Sequence, residues 1–325
     1  MNEATKTTQK FSVSELMSDR RRAVNLLTAV IMVVIVVVMS ITIPSFLTIN
    51  NIVNVLQQLT TVGMLCLGMT VVLVIGGIDI SLSTVLMASA TAGALVMTHG
   101  GNFLLGIVVT LAVGVLFGCI NGFAVARAHM IPFIVTLSTQ IIANGFAVML
   151  TNSESIFGLP KAFRMLGIKI GIVPISIPIF FVCAIAMHIL LKKTKFGRIF
   201  FMIGQNEETA MVSGIRTEKY IFAAYVIAGV CASIAGILLA ARTNMAGATM
   251  VGNTMIMDVV SAAVIGGASL SGGKGNIAGS ILGALFITLI SNFINLMGIS
   301  YYIGLIIKGV LIVLIIGLDR LRNAD

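Results

Sequence analysis

Charged residues are scarce in this chain, where Asp, Glu, Lys and Arg make up only 10% of 325 residues. Hydrophobic residues make up 58%, and the mean hydropathy is +1.11. A water-soluble domain must cover its surface with polar groups and cannot place this much apolar surface in a core. The composition therefore excludes a soluble protein and predicts a polytopic membrane protein.

Cysteine and histidine are also rare, and they are scattered. The four cysteines and three histidines are Cys66, Cys119, Cys183, Cys231, His99, His129 and His188. The cysteines lie inside apolar runs without metal-ligand spacing, which argues against a disulfide framework and a metal site. No Ser/His/Asp arrangement is visible either. The sequence therefore predicts no catalytic centre and no enzymatic function.

A nucleotide-binding motif is missing as well. The stretch "GGASLSGGKG", 266–275, superficially resembles a phosphate-binding loop. Ala268 occupies the first glycine position of the Walker spacing, and Gly275 follows Lys274 where Ser or Thr is required. We therefore expect the chain to need no cofactor and not to bind or hydrolyse ATP by itself.

Ten apolar segments follow one another along the chain, at about 23–43, 57–75, 80–98, 103–126, 132–150, 172–191, 220–241, 258–271, 276–297 and 302–318. Because backbone polar groups must be paired in hydrocarbon, these segments predict an all-α fold with about ten transmembrane helices. The domain prediction is a tail at 1–22, a membrane domain at 23–318 that includes a polar loop at 192–219, and a tail at 319–325.

The net charge of +9 comes from basic residues in short loops between apolar runs. They form no patch with interleaved aromatics, which argues against a nucleic-acid partner. With the N-terminus inside, 15 Lys and Arg fall in cytoplasmic segments, 4 fall outside, and Lys308 lies in the last span. This asymmetry predicts that both termini are cytoplasmic.

An internal repeat is a further possibility. Residues 75–95 and 265–285 match at eight of 21 positions with a constant offset of 190. The match has two explanations, shared Gly/Ala-rich composition or a structural repeat of the kind that marks transport pathways. The span count makes the two copies parallel, whereas an inverted repeat would require a different count.

Asp79 and Asp258 are the acidic residues embedded in apolar surroundings. A carboxylate in lipid costs about 3 kcal/mol on insertion scales, so each should face protein, water or the interface. In an ion-coupled transporter they would be coupling groups. In "GGIDISLS", however, the position of Asp79 before a helix favours a capping role.

Uncharged polar side chains within the spans form a second candidate group. Hydroxyls and amides could line a path for a neutral solute, and they could equally join helices. The predicted pathway residues are Asp79, Ser81, Asn121, Asn144 and Asn292. Asn144 and Asn292 are the first choices for testing.

The stretch "GQNEETAMVSGI", 204–215, is polar in an otherwise apolar chain. Asn206 is a good N-cap, Glu207 and Glu208 suit the first turn of a helix, and Gly214 suits its C′ position. The pattern predicts an isolated helix of about two turns with an apolar side. A short capped helix of this kind favours a docking element over a plain connector.

The chain also resembles a known family, the membrane permease subunits of ribose-type monosaccharide ABC importers. The resemblance rests on "FLTINNIVNVLQQ" (46–58), "GMTVVLVIGGIDISLS" (68–83), "GRIFFMIGQNEETAMVSGI" (197–215), "VIGGASLSGGKGNIAGSILGAL" (264–285) and "GISYYIGLIIKGVLIVL" (298–314). It implies a bacterial plasma-membrane protein with a cytoplasmic ATP-binding subunit, an extracytoplasmic sugar-binding protein and a second permease copy as partners in the bilayer.

The resemblance also assigns a role to the polar stretch. It resembles the cytoplasmic coupling segment of ABC importers, which implies ATPase-coupling roles for Gly204, Asn206, Glu207, Glu208 and Gly214. Glu208 stands where many relatives have alanine. The leading hypothesis is a monosaccharide permease driven by a separate ATPase. The alternatives are the same machinery for a nucleoside, a sugar-like signal or a branched-chain amino acid, and an ion-coupled secondary transporter.

Overall fold

The structure, a computed structural model, describes residues 34, 36–252, 254–300, 302–310 and 313. Residues 48–292 form one compact unit, which contains every site discussed below. The second unit comprises the chain before 48 and after 292, and its described residues are helical at 36–42 and 302–310. The predicted tails, 1–22 and 319–325, lie outside the described residues.

Helices dominate the described chain. They are α1 Ile49–Val74, α2 Leu82–Thr98, α3 Phe103–Ala126, α4 Pro132–Thr151, α5 Lys161–Arg164, α6 Ser176–Lys193, α7 Lys195–Gln205, α8 Glu207–Val212, α9 Thr217–Thr243, α10 Met255–Ile265 and α11 Ile277–Leu296. Four two-residue strands accompany them, β1 Ile156–Phe157, β2 Lys169–Ile170, β3 Val173–Pro174 and β4 Met245–Ala246. Strand β1 pairs antiparallel with β4, and β2 pairs antiparallel with β3.

Six of the described helices, α1, α3, α4, α6, α9 and α11, are long and apolar enough to cross a membrane. This confirms the prediction of a multi-pass helical membrane protein. Helix α10 has 11 residues and is about 16 Å long, roughly half of the hydrocarbon thickness. The first and last predicted segments are described only in part, so the count of ten spans stays a prediction.

Helix α1 is the central helix of the main unit. Of its most apolar stretch, 83% is buried inside the protein, against 28% for α3 and for α4. It begins at Ile49, eight residues before the predicted segment, and the Thr48 hydroxyl accepts the N–H of Asn51 at 3.4 Å. Hydropathy missed these two turns because they contain three asparagines, of which Asn51 is buried inside the protein.

Helices α3 and α9 pack at very short range. Gly114, Gly118 and Gly122 form a stripe on α3, and a Cβ at any of them would come within 3 Å of a backbone carbonyl oxygen of α9. Small residues at four-residue spacing let two helix backbones approach in this way. The two helices therefore act as one rigid pair.

Helices α1 and α10 end in two turns that have the same backbone geometry. Gly76, with φ of +83°, donates its N–H to the Leu73 carbonyl at 2.9 Å, and Gly267, with φ of +90°, donates to the Val264 carbonyl at 2.8 Å. In each turn the next N–H reaches the carbonyl five residues back. The two turns correspond at an offset of 191, which is one more than the offset of the sequence alignment. The alignment therefore paired Gly76 with Gly266 instead of Gly267.

Helices α1 and α10, which end in these two turns, run parallel to each other. Helix α11 is antiparallel to α10, because a Cβ at Gly283 would collide with the Ala262 carbonyl while Gly279 lies against Gly266. Helix α11 is also antiparallel to α1. Its residue Ser280 accepts from the Thr70 hydroxyl near the end of α1, and Asn292 pairs with Asn51 near its beginning. The parallel direction is the one that the span count implies.

The two ends of the main unit differ in character. At one end, called the strand end, β1 pairs with β4, and the Leu159 N–H donates to the Asn244 side chain at 3.1 Å. An apolar cluster that includes Met97, Phe163 and Ala241 lies beside them. At the other end, called the coupling end, the turn after α1 meets helix α7 and the loop 266–276.

Candidate functional site

The polar loop at the coupling end contains two helices instead of one. Helix α7 begins at a cap in which the Thr194 hydroxyl accepts the N–H of Gly197 at 3.3 Å. The sequence analysis missed α7. Its signal was present, because Gly197, Phe200 and Ile203 are buried at a three-residue spacing that is typical of an amphipathic helix.

Helix α8 begins and ends where the sequence predicted. The Asn206 side-chain oxygen accepts the N–H of Thr209 at 2.7 Å, so Asn206 is the N-cap. At the other end Gly214 has φ of +81° and donates to the Met211 carbonyl, while Ile215 donates to the Ala210 carbonyl. These two bonds form the Schellman motif that a C′ glycine closes.

The outer face of α8 is apolar and uncovered. Ala210 points inward and is 1% exposed, whereas Met211 is 48% and Val212 is 90% exposed. Glu208 is exposed beside them and makes no ion pair among the described residues. The outer face of α8 therefore carries two exposed apolar side chains beside an exposed carboxylate.

Glu207 faces its own chain. Its Oε1 accepts a hydrogen bond from the hydroxyl of Thr217 at 3.0 Å, and Thr217 is 2% exposed in the first turn of α9. This bond fastens the beginning of α8 to the beginning of α9. Glu207 therefore positions α8, and of the two glutamates only Glu208 is presented on the outer surface.

Three backbones meet at a set of glycines that we call the glycine junction, comprising Gly76, Gly204, Gly272 and Gly273. A Cβ at Gly204, in the last turn of α7, would overlap the carbonyl oxygen of Val74 at the end of α1. That same oxygen accepts the N–H of Gly273 at 3.0 Å. A Cβ at Gly272 would lie 2.5 Å from the Gly204 carbonyl oxygen and 2.8 Å from Gly76 Cα. The junction exists because none of its members carries a side chain.

The structure brings three predicted pathway residues together in a polar cluster, defined as Asp79, Ser81, Asn121 and Thr139. The Asp79 carboxylate accepts the N–H of Ser81 at 3.0 Å and its hydroxyl at 2.5 Å. The Asn121 amide donates to the Ser81 hydroxyl at 3.0 Å and accepts from the Thr139 hydroxyl at 2.6 Å. All four are at most 3% exposed.

The polar cluster joins α3 and α4 to the segment that leads into α2. Asp79 accepts a backbone N–H, as the capping interpretation requires, although the N–H is that of Ser81, directly before α2. Fully satisfied buried polar networks rigidify the elements they connect. The cluster lies near the coupling end, since Asp79 follows the turn after α1 and Asn121 lies in the last two turns of α3.

Tyr225 was not predicted from the sequence, because it lies in an apolar run of α9. Its side chain is fully buried, and its hydroxyl has no hydrogen-bond partner within the part of the chain that the structure describes. A Cβ at Gly77 would lie 2.5 Å from this hydroxyl. Tyr225 therefore packs against the loop that carries Asp79.

Asn292 and Asn144 lie away from the polar cluster. Asn292 exchanges two side-chain hydrogen bonds with Asn51, at 3.0 and 2.8 Å, and so ties α11 to α1. Asn144 is exposed on α4, beside Gly145, where an added Cβ would meet nothing within 4 Å. The predicted pathway residues therefore occupy three separate places.

The other candidates of the sequence analysis have ordinary surroundings. Asp258 lies in the first turn of α10, where the helix dipole stabilises a carboxylate. The loop 266–276 follows a helix, whereas a phosphate-binding loop follows a strand. Within the residues that the structure describes, no group of three His, Cys, Asp or Glu side chains could hold a metal ion.

Comparisons with known proteins agree with this architecture. A family model described as "Branched-chain amino acid transport system / permease component" matches residues 51–316. The ribose import permease protein of Bacillus subtilis (strain 168) is 35% identical over 295 residues, which are 90% of this chain and 91% of that protein. The D-allose transport system permease protein of Escherichia coli (strain K12) is 31% identical over 279 residues, 85% of each chain.

A solved structure is similar in fold. It is an inward-facing conformation of a metal-chelate type ABC transporter, and it covers 90% of this chain and 99% of its own. The TM-score is 0.50 at 14% sequence identity, so the likeness concerns the fold alone.

Proposed function

The chain belongs to the transport permease family whose model matches residues 51–316, and from this premise we propose that it is the permease subunit of an ABC importer for a monosaccharide. Relatives that align along 85% or more of their length are named for ribose import and for D-allose transport. An ABC importer permease works with an ATP-binding subunit and a substrate-binding protein. A second permease copy, identical or homologous, completes the proposed complex.

We place the coupling end in the cytoplasm of a bacterial cell. The basic residues support this orientation, since 15 fall in the segments that it makes cytoplasmic and 4 in the segments that it makes external. Both termini are then cytoplasmic, and the loop 192–219 faces the ATP-binding subunit. The membrane domain of the proposal is 23–318, between tails at 1–22 and 319–325.

The observation that carries the proposal is the geometry of α7 and α8. Helix α8 presents Met211, Val212 and Glu208 outward, as a surface for a partner requires. Its inner side is fixed to α9 through Glu207, and the preceding helix α7 touches the end of α1 through backbone atoms at Gly204. A push on α8 is therefore delivered directly to the membrane-crossing helices.

From the glycine junction the push has a continuous physical route. The junction includes Gly76, and the loop that follows carries Asp79 into the polar cluster. The cluster reaches α3 through Asn121 and α4 through Thr139. We assign Asp79, Ser81 and Asn121 a role in keeping these helices together while they move, because their hydrogen bonds are made within the chain.

Asn144 is our candidate for a residue that faces the substrate. An amide exposed on a membrane-crossing helix is unfavourable in hydrocarbon, so it should face water or a second protein. We propose that this face of α4 lines the path between the two permease copies. In a variant without the native cysteines, Asn144→Cys should react with a membrane-impermeant thiol reagent, and Ile185→Cys, on the exposed face of α6, should not. If neither cysteine reacts with the reagent, the placement of Asn144 on the substrate path is contradicted.

The function itself is tested by uptake. Vesicles that contain the chain, its ATP-binding subunit and its binding protein should accumulate labelled ribose or allose when ATP is supplied inside. Leucine serves as one competing solute, because the family description names branched-chain amino acids. A nucleoside serves as the other, because the sequence analysis left a nucleoside open as the substrate. Uptake that persists without the ATP-binding subunit and collapses with the ion gradient would support an ion-coupled transporter and overturn the proposal.

A further inference from the structure

A basic cleft lies beside α8 at the coupling end. Its volume is about 690 Å³. We call it the basic cleft and define it by its lining residues, Phe123, Ala126, Arg127, His129, Met211, Ile215, Arg216, Thr217, Glu218, Lys219 and Phe222. They come from the end of α3, the residues after it, α8 and the beginning of α9. Met211 and Thr217 of this lining also belong to the α8 contacts described above, whereas Arg127, Arg216 and Lys219 have no role in the transport proposal or the coupling route.

The charge in the basic cleft is strongly unbalanced. Glu218 is the one carboxylate of its lining, and it accepts a hydrogen bond from Arg127 at 2.8 Å. Arg216 and Lys219 are exposed and form no ion pair among the described residues. The lining therefore carries a net charge of +2 with His129 neutral, and it is complementary to an anion.

The apolar part of the cleft fixes its level in the membrane. Phe123 is in the last turns of α3 and Phe222 is in the first two turns of α9, and both helices are long enough to cross the bilayer. Phe123 is 61% exposed. The cavity thus opens at the ends of two membrane-crossing helices, where headgroups and acyl chains meet, and its aromatic wall continues the surface that faces lipid.

We propose that the basic cleft binds the phosphate headgroup of an anionic phospholipid. Arg216 and Lys219 pair with the phosphate, and the acyl chains leave along Phe123 and Phe222. Basic pockets between membrane helices on the cytoplasmic side suit such headgroups, whereas a soluble anion would use the charges and leave the aromatic wall unoccupied. A bound lipid would connect the end of α3 with α8 and so support the coupling segment from the membrane side.

The charge test compares two double variants of the full-length chain in detergent. Arg216→Gln with Lys219→Gln removes two cations from the cleft, and Lys195→Gln with Arg198→Gln removes the same two types from exposed positions on α7. Native mass spectrometry during titration with phosphatidylglycerol measures the first bound lipid. The cleft variant should bind it about 30-fold more weakly, and the α7 variant should match the parent chain.

Four results would overturn the proposal. Equal weakening in both variants would indicate diffuse attraction to the basic surface, and no weakening in either would place the lipid elsewhere. Displacement by inorganic phosphate, beyond the effect of chloride at the same ionic strength, would identify the site as one for a free anion. Phosphatidylcholine that binds as tightly as phosphatidylglycerol would exclude recognition of charge.

A fluorescence measurement locates the lipid. The chain contains no tryptophan, so Phe123→Trp introduces a single reporter at the cleft, and Phe181→Trp introduces one on the exposed face of α6. Brominated phosphatidylglycerol should quench the reporter at the cleft more strongly than brominated phosphatidylcholine does. The two lipids should quench the reporter on α6 equally. Equal quenching at both positions would contradict the site.

Discussion

The glycine junction gives the sharpest prediction, which concerns Gly204→Ala. The new Cβ would overlap the Val74 carbonyl oxygen and lie 2.5 Å from the nitrogen of Gly273. Both neighbours are backbone atoms, so no side chain can rotate away, and α7 has to move outward by about 1.6 Å to reach an ordinary contact. Overpacking of this kind costs about 1–3 kcal/mol, which corresponds to roughly a 5- to 150-fold change in an equilibrium between two positions of α7.

We expect this change to separate ATP hydrolysis from transport. The assay is the number of sugar molecules imported per ATP hydrolysed in vesicles with the ATP-binding subunit and binding protein. Gly204→Ala should still assemble with the ATP-binding subunit, because the outer face of α8 is unchanged, but it should import much less sugar per ATP. Gly309→Ala is the matched control, since its added Cβ meets nothing within 4 Å. Normal stoichiometry in a folded, assembled Gly204→Ala complex would refute the proposed route.

Three further predictions concern single side chains. Glu207→Ala should destabilise α8 by about 1 kcal/mol and speed amide hydrogen exchange within it, and Thr217→Val should do the same. Glu208→Ala should only weaken binding of the ATP-binding subunit. If the two glutamate variants behave alike, the separate roles of Glu207 and Glu208 are refuted. Asn121→Ala leaves two hydroxyls of the polar cluster without their partner and should lower thermal stability in detergent by about 2 kcal/mol, and an unchanged melting temperature would argue against the cluster. Tyr225→Phe removes a buried hydroxyl that has no hydrogen-bond partner among the described residues and should raise stability by about 1 kcal/mol; a loss of stability would contradict this interpretation.

The sequence predicted those features that depend on local chemistry. The caps of α8 at Asn206 and Gly214 were identified correctly, because a cap involves residues three or four apart. The multi-pass helical fold was also predicted, because hydropathy measures contact with lipid. The internal repeat stays a prediction: its alignment paired Gly76 with Gly266, whereas the glycine with positive φ after α10 is Gly267.

The sequence could not reveal which polar groups bond to each other. Asn51 and Asn292 are 241 positions apart, and each completes the hydrogen bonds of the other. Glu207 matches the expected glutamate of a coupling segment, yet only the folded chain shows that Thr217 occupies its carboxylate. Such partners depend on how helices distant in the sequence pack, and neither periodicity nor spacing carries that information.

The cap at Asn206 constrains how this protein can change over evolution. Asn206, in extended conformation, is both the C-cap of α7 and the N-cap of α8, so no linker residues separate the two helices. One inserted residue would rotate the outer face of α8 by about 100° relative to α7 and so turn the proposed docking surface away from its partner. Most surface loops accept insertions, but this segment should tolerate changes of side chain and reject changes of length. Its length is therefore as much a part of the mechanism as any residue within it.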